Sequence, residues 1–236
     1  MTMKYKRVLL KMSGESLAGQ AGFGINMRSL EQTVSEIGRA RKSGTQIAIV
    51  IGGGNIWRGA GKEIERVTAD YMGMLATIFN ALALRDVLET RGIPAKLQSA
   101  FEISKIAELY TPKKTIEYLK KGFIVILAGG TGNPYFTTDT TAALRAVEIN
   151  AEILFKATQV DGIYDSDPKK NSSAKKFKTI TYGEAMARNL KIMDITAFSL
   201  CKDNSLPIIV FDFYKPGNLT KALAGQKIGT LVTSGK

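Results

Sequence analysis

The chain has 236 residues, 44% hydrophobic and 23% charged, a composition that excludes a disordered or fibrous protein and allows a sizeable core. It has no histidine and one cysteine, Cys201, which excludes a Ser-His-Asp relay, a Cys-His pair, a histidine- or cysteine-built zinc site and an internal disulfide. Lysine and arginine number 33 against 21 acidic residues, a formal charge of +12 that suits an anionic partner: nucleotide, nucleic acid or membrane surface. Any catalysis must therefore use lysine, arginine, carboxylates, hydroxyls, backbone N–H groups and a hard cation, a set suited to phosphoryl transfer.

The N-terminus, MTMKYKRVLLKMSGES, is basic and then apolar, but its apolar part is only VLL and Lys11 interrupts it, too little for a signal peptide. No apolar run approaches the ~20 residues that span a bilayer. These features suggest a cytoplasmic protein.

Along the chain, YKRVLLKM (5–12) reads as a strand. In 29–44, Leu30, Val34 and Ile37 fall at helical spacing and Gly44 is a stop signal. TQIAIVI (45–51) is a strand. Residues 68–91 form a long helix that is apolar on most sides, hence buried or shared with another subunit. A short strand (94–99) precedes a helix at 111–122, with Thr111 as cap, Pro112 at its first position and a closing Gly122. FIVILAGG (123–130) is the most strand-like run. A helix at 137–151 opens on hydroxyls and Asp139, and a strand follows at 152–158. TYGEAMAR (181–188) carries a capping box from Thr181 to Glu184. A strand (206–213), a short helix (218–225) and a last strand (229–234) complete the chain. This alternation predicts an α/β fold with a mostly parallel sheet and helices on both faces, in a single domain spanning 1–236. The lysine-rich 167–178 segment reads as an exposed loop.

Ligands of open parallel sheets gather at the carboxyl ends of the strands. Four special stretches fall there: KMSGES (11–16), GGGNIWRGAG (52–61), AGGTGNPYFTTDT (128–140) and KATQVDGIYDSDP (156–168). Glycine lets backbone N–H groups approach an oxyanion with no Cβ in the way, and a following helix adds its positive end. Any single glycine cluster is adequately explained as a turn; three on strand ends, with Lys11 and Arg58 on the same rim, point to bound phosphate with room for two groups. Neither G-x-x-x-x-G-K-[ST] nor G-x-G-x-x-G occurs, so this is not an ordinary P-loop or dinucleotide-binding protein. DSDP (165–168) lacks the glycine and distal glutamate of a calcium loop.

Together, KMSGES, VIGGGNIWRGAG, DYMGMLA, GGTGNPYFTTDT, KATQVDGIYDSDP and KIMDITAF resemble the amino acid kinase family, in order from about Lys6 to Thr233. Within it, GTGNPYFTTDT and DYMGMLA resemble the uridylate-phosphorylating branch. The resemblance implies an acceptor-binding lobe over about 1–150 and an ATP-binding lobe over about 151–236. It implies that Lys11, Met12, Ser13 and Gly14 touch ATP phosphates, with Lys11 neutralising the group in flight. Gly54 and Arg58 are similar to ATP-side positions, and Thr158, Tyr164 and Asp167 to the wall around adenine and ribose. Gly53 resembles a UMP contact, Asp70 the carboxylate that accepts from the UMP ribose, and Thr131, Gly132, Asn133, Pro134, Tyr135, Phe136, Thr137 and Thr138 the segment enclosing uridine and its phosphate. Asp194 matches an aspartate that orients the catalytic lysine, and Lys156 adds positive charge, so that Lys11, Arg58, Lys156 and Asp194 form the implied catalytic set. Gly19, Gln20, Ala21, Gly22, Phe23 and Gly24 resemble a loop through which some members bind GTP as an activator. The resemblance also implies a homohexamer and Mg²⁺ brought with ATP, with no fixed protein ligands.

Simpler readings stand beside these: Asp70 as a helix cap, Asp194 as a surface acid, Tyr164 as a packing residue. Two departures are visible, a segment between Gly61 and Asp70 shorter than in some relatives, and the lysine-rich loop 169–178 without a counterpart role. Alternative functions are a kinase of a small carboxylate or carbamate, and a nucleic-acid-binding protein; for the latter the charge alone speaks, and no DNA or RNA motif appears.

Overall fold

The structure, a computed structural model, describes residues 3–58, 64–168, 170–190 and 192–235. The expected shortening after Gly61 falls partly outside the described residues, as do Lys62 and Lys169.

The elements follow in order: β1 (Arg7–Met12), α1 (Glu15–Ala18), a 3₁₀ turn (Gly19–Ala21), α2 (Met27–Arg41), β2 (Gln46–Ile51), α3 (Arg66–Thr90), β3 (Ala95–Ser99) and β4 (Glu108–Leu109). Then come α4 (Pro112–Lys120), β5 (Ile124–Ala128), α5 (Thr138–Glu148), β6 (Ile153–Thr158), β7 (Thr179–Thr181), α6 (Tyr182–Ala187), α7 (Ile195–Asp203), β8 (Ile208–Asp212), α8 (Asn218–Leu223) and β9 (Thr230–Thr233). One nine-stranded sheet runs in the order β4-β3-β5-β2-β1-β6-β8-β9-β7. Every pairing is parallel except β8 with β9. The strands from the first part of the chain and those from the second meet where β1 pairs with β6.

Side-chain alternation builds a core on each face of the sheet. Val8, Leu10 and Met12 of β1 join Ile47, Ile49 and Ile51 of β2 beneath α2, α3 and α8. Leu9, Ala48, Val50 and Leu154 point to the opposite layer of α5, α6 and α7. Because both faces are covered, the central strands are continuously apolar, as parallel topology demands. Leu30, Val34 and Ile37 of α2 are buried as their spacing implies.

Besides the 3₁₀ turn, the described residues add four helices and strands that the sequence pattern does not predict: α1, β4, β7 and α7. The first three have two to four residues, too few for a period to show. In α7 the pattern is blurred because Ile195 is 81% exposed while Ala197, Phe198 and Cys201 are buried. Asp194 caps it, accepting from the Ala197 N–H at 2.9 Å.

Helix α3 is long and apolar enough, by length and composition alone, to cross a bilayer. Asp70, Arg85 and Asp86 interrupt its apolar residues, so it differs from an unbroken apolar run of that length. Here Ile78, Ala81, Leu84 and Leu88 are buried in the core, whereas Tyr71, Leu75 and Phe79 form an exposed stripe at i, i+4, i+8.

Gly229 reverses the chain into β9 at φ +68°, and a Cβ there would lie 2.2 Å from the Val210 carbonyl oxygen. A Gly229→Ala substitution should destabilise the fold by about 2 kcal/mol, read as a lowered midpoint in urea unfolding.

Candidate active site

The alternation that buries Leu9 on the α5 face also sends Lys11 there, at the carboxyl end of β1. On β6, Leu154 and then Lys156 take the same face. The register pairs Lys11 directly with Lys156. Two ammonium groups side by side repel, and the fold supplies one carboxylate between them. Asp139, in the first turn of α5, lies with Oδ1 2.8 Å from Lys11 Nζ and Oδ2 2.6 Å from Lys156 Nζ. Thr137 caps α5 by accepting from the Asp139 and Thr140 N–H groups, which fixes where Asp139 begins. Burial pushes the Asp139 carboxyl up, but the two flanking ammoniums outweigh it and hold it below its ordinary value. Burial also lowers Lys156; Asp139 opposes this, Lys11 reinforces it, and the net value is below that of a free lysine.

Asp194 stands one bond removed. Its carboxylate accepts from the hydroxyls of Thr137 and Thr140, the latter at 2.9 Å, besides capping α7. It thus braces the start of α5, while the carboxylate in contact with the lysines is Asp139.

Two cavities open near this trio: Lys156 lines one, and Thr138, next to Asp139 in sequence, lines the other. One of about 700 Å³ is lined by Lys156, Thr158, Tyr164, Asp167, Arg188 and Leu190, among others. The other, of about 500 Å³, is lined by Gly53, Gly54, Arg58, Asp70, Phe136 and Thr138, among others. Within the second, Asp70 Oδ2 accepts from Arg66 Nε and from the Tyr135 N–H, each at 2.8 Å. The Arg66 guanidinium lies 5.4 Å from the centre of the Tyr135 ring. Burial raises the Asp70 carboxyl, but the bonds from Arg66 and Tyr135 bring it below its ordinary value. Tyr135 itself sits at φ +71°, a left-handed conformation costing on the order of 1 kcal/mol that these bonds hold in place.

A family model described as "Amino acid kinase family" matches residues 6–212. The chain belongs to the amino acid kinase family. Solved structures agree. The UMP kinase from Bacillus anthracis superposes with a TM-score of 0.95 at 40% identity, covering 98% of this chain and 97% of that one. UMP kinase from Ureaplasma parvum gives 0.91 at 36% identity, covering 98% and 100%. Uridylate kinase from Archaeoglobus fulgidus gives 0.72 at 26% identity, covering 96% and 99%.

In this family member the residues expected at the site distribute as follows. Gly53, Asp70, Phe136, Thr137 and Thr138, expected on the acceptor side, line the 500 Å³ cavity. Thr131, Gly132, Asn133, Pro134 and Tyr135 form the loop beside it, tightened by Thr131 Oγ1, which accepts from the Asn133 N–H at 3.1 Å. Gly54 and Arg58, expected on the ATP side, open into that same cavity. Arg58 is engaged by Glu15 and donates to the Gly54 carbonyl at 3.0 Å. Met12 keeps its side chain in the core, so only its backbone is available to a ligand. Ser13 and Gly14 use their carbonyls to start α1, accepting from Ser16 and Leu17. Thr158 Oγ1 donates to the Val160 carbonyl and Tyr164 donates to Asp161, both at 2.7 Å. The lysine-rich loop folds back on this wall, with Lys176 paired to Asp161 at 2.7 Å. In the 19–24 loop, Gly22 and Gly24 adopt positive φ and Phe23 is exposed.

Three contributors escaped the sequence reading: Asp139, Arg66 and Arg188. Asp139 had a usable signal, an acid in a hydroxyl-rich segment after a glycine-ended strand, but it read only as a helix start. Among the described residues, no group of three or more acidic or cysteine side chains is placed to hold a metal.

Lys11→Ala should lower kcat on the order of 10²-fold or more while leaving the thermal midpoint nearly unchanged, checked by steady-state kinetics and melting. Asp139→Asn leaves two close ammoniums without a counter-ion and should cost on the order of 2 kcal/mol in urea unfolding at neutral pH, below the usual loss for a fully buried pair. Because folding depresses the Asp139 value, its contribution is present above the unfolded value near 3.8 and disappears as pH falls through the lower folded value. The wild type should therefore lose this increment in strong acid, and the gap between the wild type and Asp139→Asn should close there.

Proposed function

We propose that the protein transfers the γ-phosphoryl group of ATP to UMP, giving ADP and UDP, as a step in pyrimidine nucleotide synthesis in the cytoplasm. The observation that carries this reading is the Lys11–Asp139–Lys156 trio, with Lys156 lining one nucleotide-sized cavity and the neighbouring Thr138 lining another, in a chain similar over nearly its full length to solved UMP kinases.

The acceptor is itself a phosphate, so the barrier lies largely in the repulsion between two anions, and no general base of tuned pKa is needed. One carboxylate shared by two lysines leaves a net positive charge at the strand ends. We assign Lys11 and Lys156 to the phosphoryl group in transit and Arg58 to the phosphates beside the glycine loop. Mg²⁺, arriving with ATP, neutralises phosphate charge and would be held chiefly by the phosphates. The 700 Å³ cavity takes ATP, with Thr158, Tyr164 and Asp167 along its wall. The 500 Å³ cavity takes UMP. Asp70 Oδ2 is occupied by Arg66 and Tyr135, so Oδ1 is our acceptor for a ribose hydroxyl.

The exposed stripe Tyr71, Leu75 and Phe79 on α3 supports assembly into a homo-oligomer, which we propose to be a hexamer. We assign the 19–24 loop, with exposed Phe23, to effector response.

The test is ADP release from MgATP with UMP, CMP, dUMP, carbamate, aspartate or N-acetylglutamate as acceptor. Turnover should be fastest with UMP. Turnover with an amino acid and none with UMP overturns the reading.

A further inference from the structure

Asn80 lies in the middle of α3 and is fully buried; Asn55, in the loop after β2, is 1% exposed. A buried amide is costly unless every group is bonded. Here the two side chains bond each other head to tail. Asn80 Nδ2 donates to Asn55 Oδ1 at 2.6 Å, and Asn55 Nδ2 donates to Asn80 Oδ1 at 3.0 Å. Each spends its second N–H on a loop: Asn80 on the Gly52 carbonyl and Asn55 on the Gly24 carbonyl, both at 2.7 Å. The Gly24 N–H returns to the Asn55 carbonyl at 2.8 Å.

The turn after β1, at Ser13 and Gly14, rests directly on this pair. A Cβ on Gly14 would lie 2.3 Å from Asn55 Oδ1, 2.5 Å from the Gly52 carbonyl oxygen and 3.0 Å from Asn80 Nδ2. The Gly52 N–H also donates to the Met12 carbonyl at 3.0 Å. The loop that follows Lys11 and the loop that carries Gly53 and Gly54 are therefore spaced by two side-chain amides with no slack. The same helix reaches the acceptor side at two further points. Thr77 Oγ1 accepts from the Gly129 N–H, and Asp70 Oδ2 from the Tyr135 N–H, each at 2.8 Å.

We infer that Asn80 and Asn55 are positioning residues that set the distance between the phosphate loop after β1 and the glycine loop after β2, and so between donor and acceptor phosphates. The inference rests on the functional reading above. Neither amide lines either cavity, so each acts through backbone it holds. In-line transfer is sensitive to such spacing: a misplacement near 1 Å can cost about 10²-fold in rate.

A ligand that occupies both sites at once reads the spacing without turnover. Adenosine and uridine joined 5′ to 5′ through five phosphates should bind Asn80→Ala at least about 30-fold more weakly than wild type by calorimetry, because the link rewards only the correct separation. ATP alone and UMP alone should bind within about threefold of wild type, and kcat should fall about 10²-fold. The double variant Asn55→Ala/Asn80→Ala should be no slower than the slower single, since the two act as one unit. Should Asn80→Ala not fold by circular dichroism, Asn80→Ser and Asn55→Ala carry the same comparison. Equal weakening of the linked and the single nucleotides, or kcat unchanged in a folded variant, overturns the positioning role. A wild-type chain that releases no ADP with UMP overturns the functional reading instead, and the role with it.

Discussion

The arrangement at the sheet's carboxyl edge depends on one carboxylate held by two lysines. Lys11 and Lys156 are neighbours because β1 and β6 are parallel and in register, so both side chains must leave the same face at the same height. Without Asp139 the two ammoniums would repel, and their burial would add to the cost of holding both charged. With Asp139 the pair becomes a trio carrying one excess positive charge, partly shielded from water. The start of α5 adds to that field, since it is the positive end of the helix dipole. That end stabilises Asp139 and opposes the lysines. A further anion at this edge would meet cations already desolvated and fixed, which is the condition under which electrostatic stabilisation is strong.

Helix α3 is the common support for both sides of the site. Its inward side is used twice and its outward side is apolar too, which is why it reads as apolar nearly all round with no clear stripe. Ile78, Ala81, Leu84 and Leu88 pack in the core. The inward side also carries Asp70 and Thr77, both bonded to the loop after β5, and Asn80, bonded to the loop after β2. The opposite side presents Tyr71, Leu75 and Phe79 outward. Any shift of the helix along its axis would move the loop at Tyr135 and the loop at Gly52 together. A rigid rod spanning about 15 Å between Asp70 and Asn80 thus correlates positions that are far apart in sequence.

Much of the fold was legible because the central strands are β-branched runs buried on both faces and the major helices carry real caps. Thr111, Thr137 and Thr181 all accept from backbone N–H groups where the sequence placed helix starts. Short elements were not legible, since β4 and β7 derive their existence from neighbours rather than from a pattern of their own. Asp139 was overlooked for a related reason. Its role comes from the register of two strands distant in sequence, and no local spacing encodes that. Asp194 was singled out, and the structure shows it bonded to Thr137 and Thr140 rather than to a lysine.

The three glycines after β2 show how fold and site make competing claims on one sequence. A bound phosphate would explain bare backbone at Gly52, Gly53 and Gly54 equally. The structure separates them. A Cβ on Gly53 would lie 2.7 Å from the Ala76 Cβ and 2.8 Å from the Gly73 carbonyl, so the crossing of α3 already forbids a side chain there. At Gly52 the Gly14 N–H would lie 3.2 Å away, a tight contact between two loops. Only at Gly54 is a Cβ sterically comfortable, its nearest neighbours being Arg58 and Glu15 at 3.8 and 3.9 Å. Packing therefore accounts for Gly53 and largely for Gly52, and a need for bare backbone facing a ligand is the remaining physical reason for glycine at position 54.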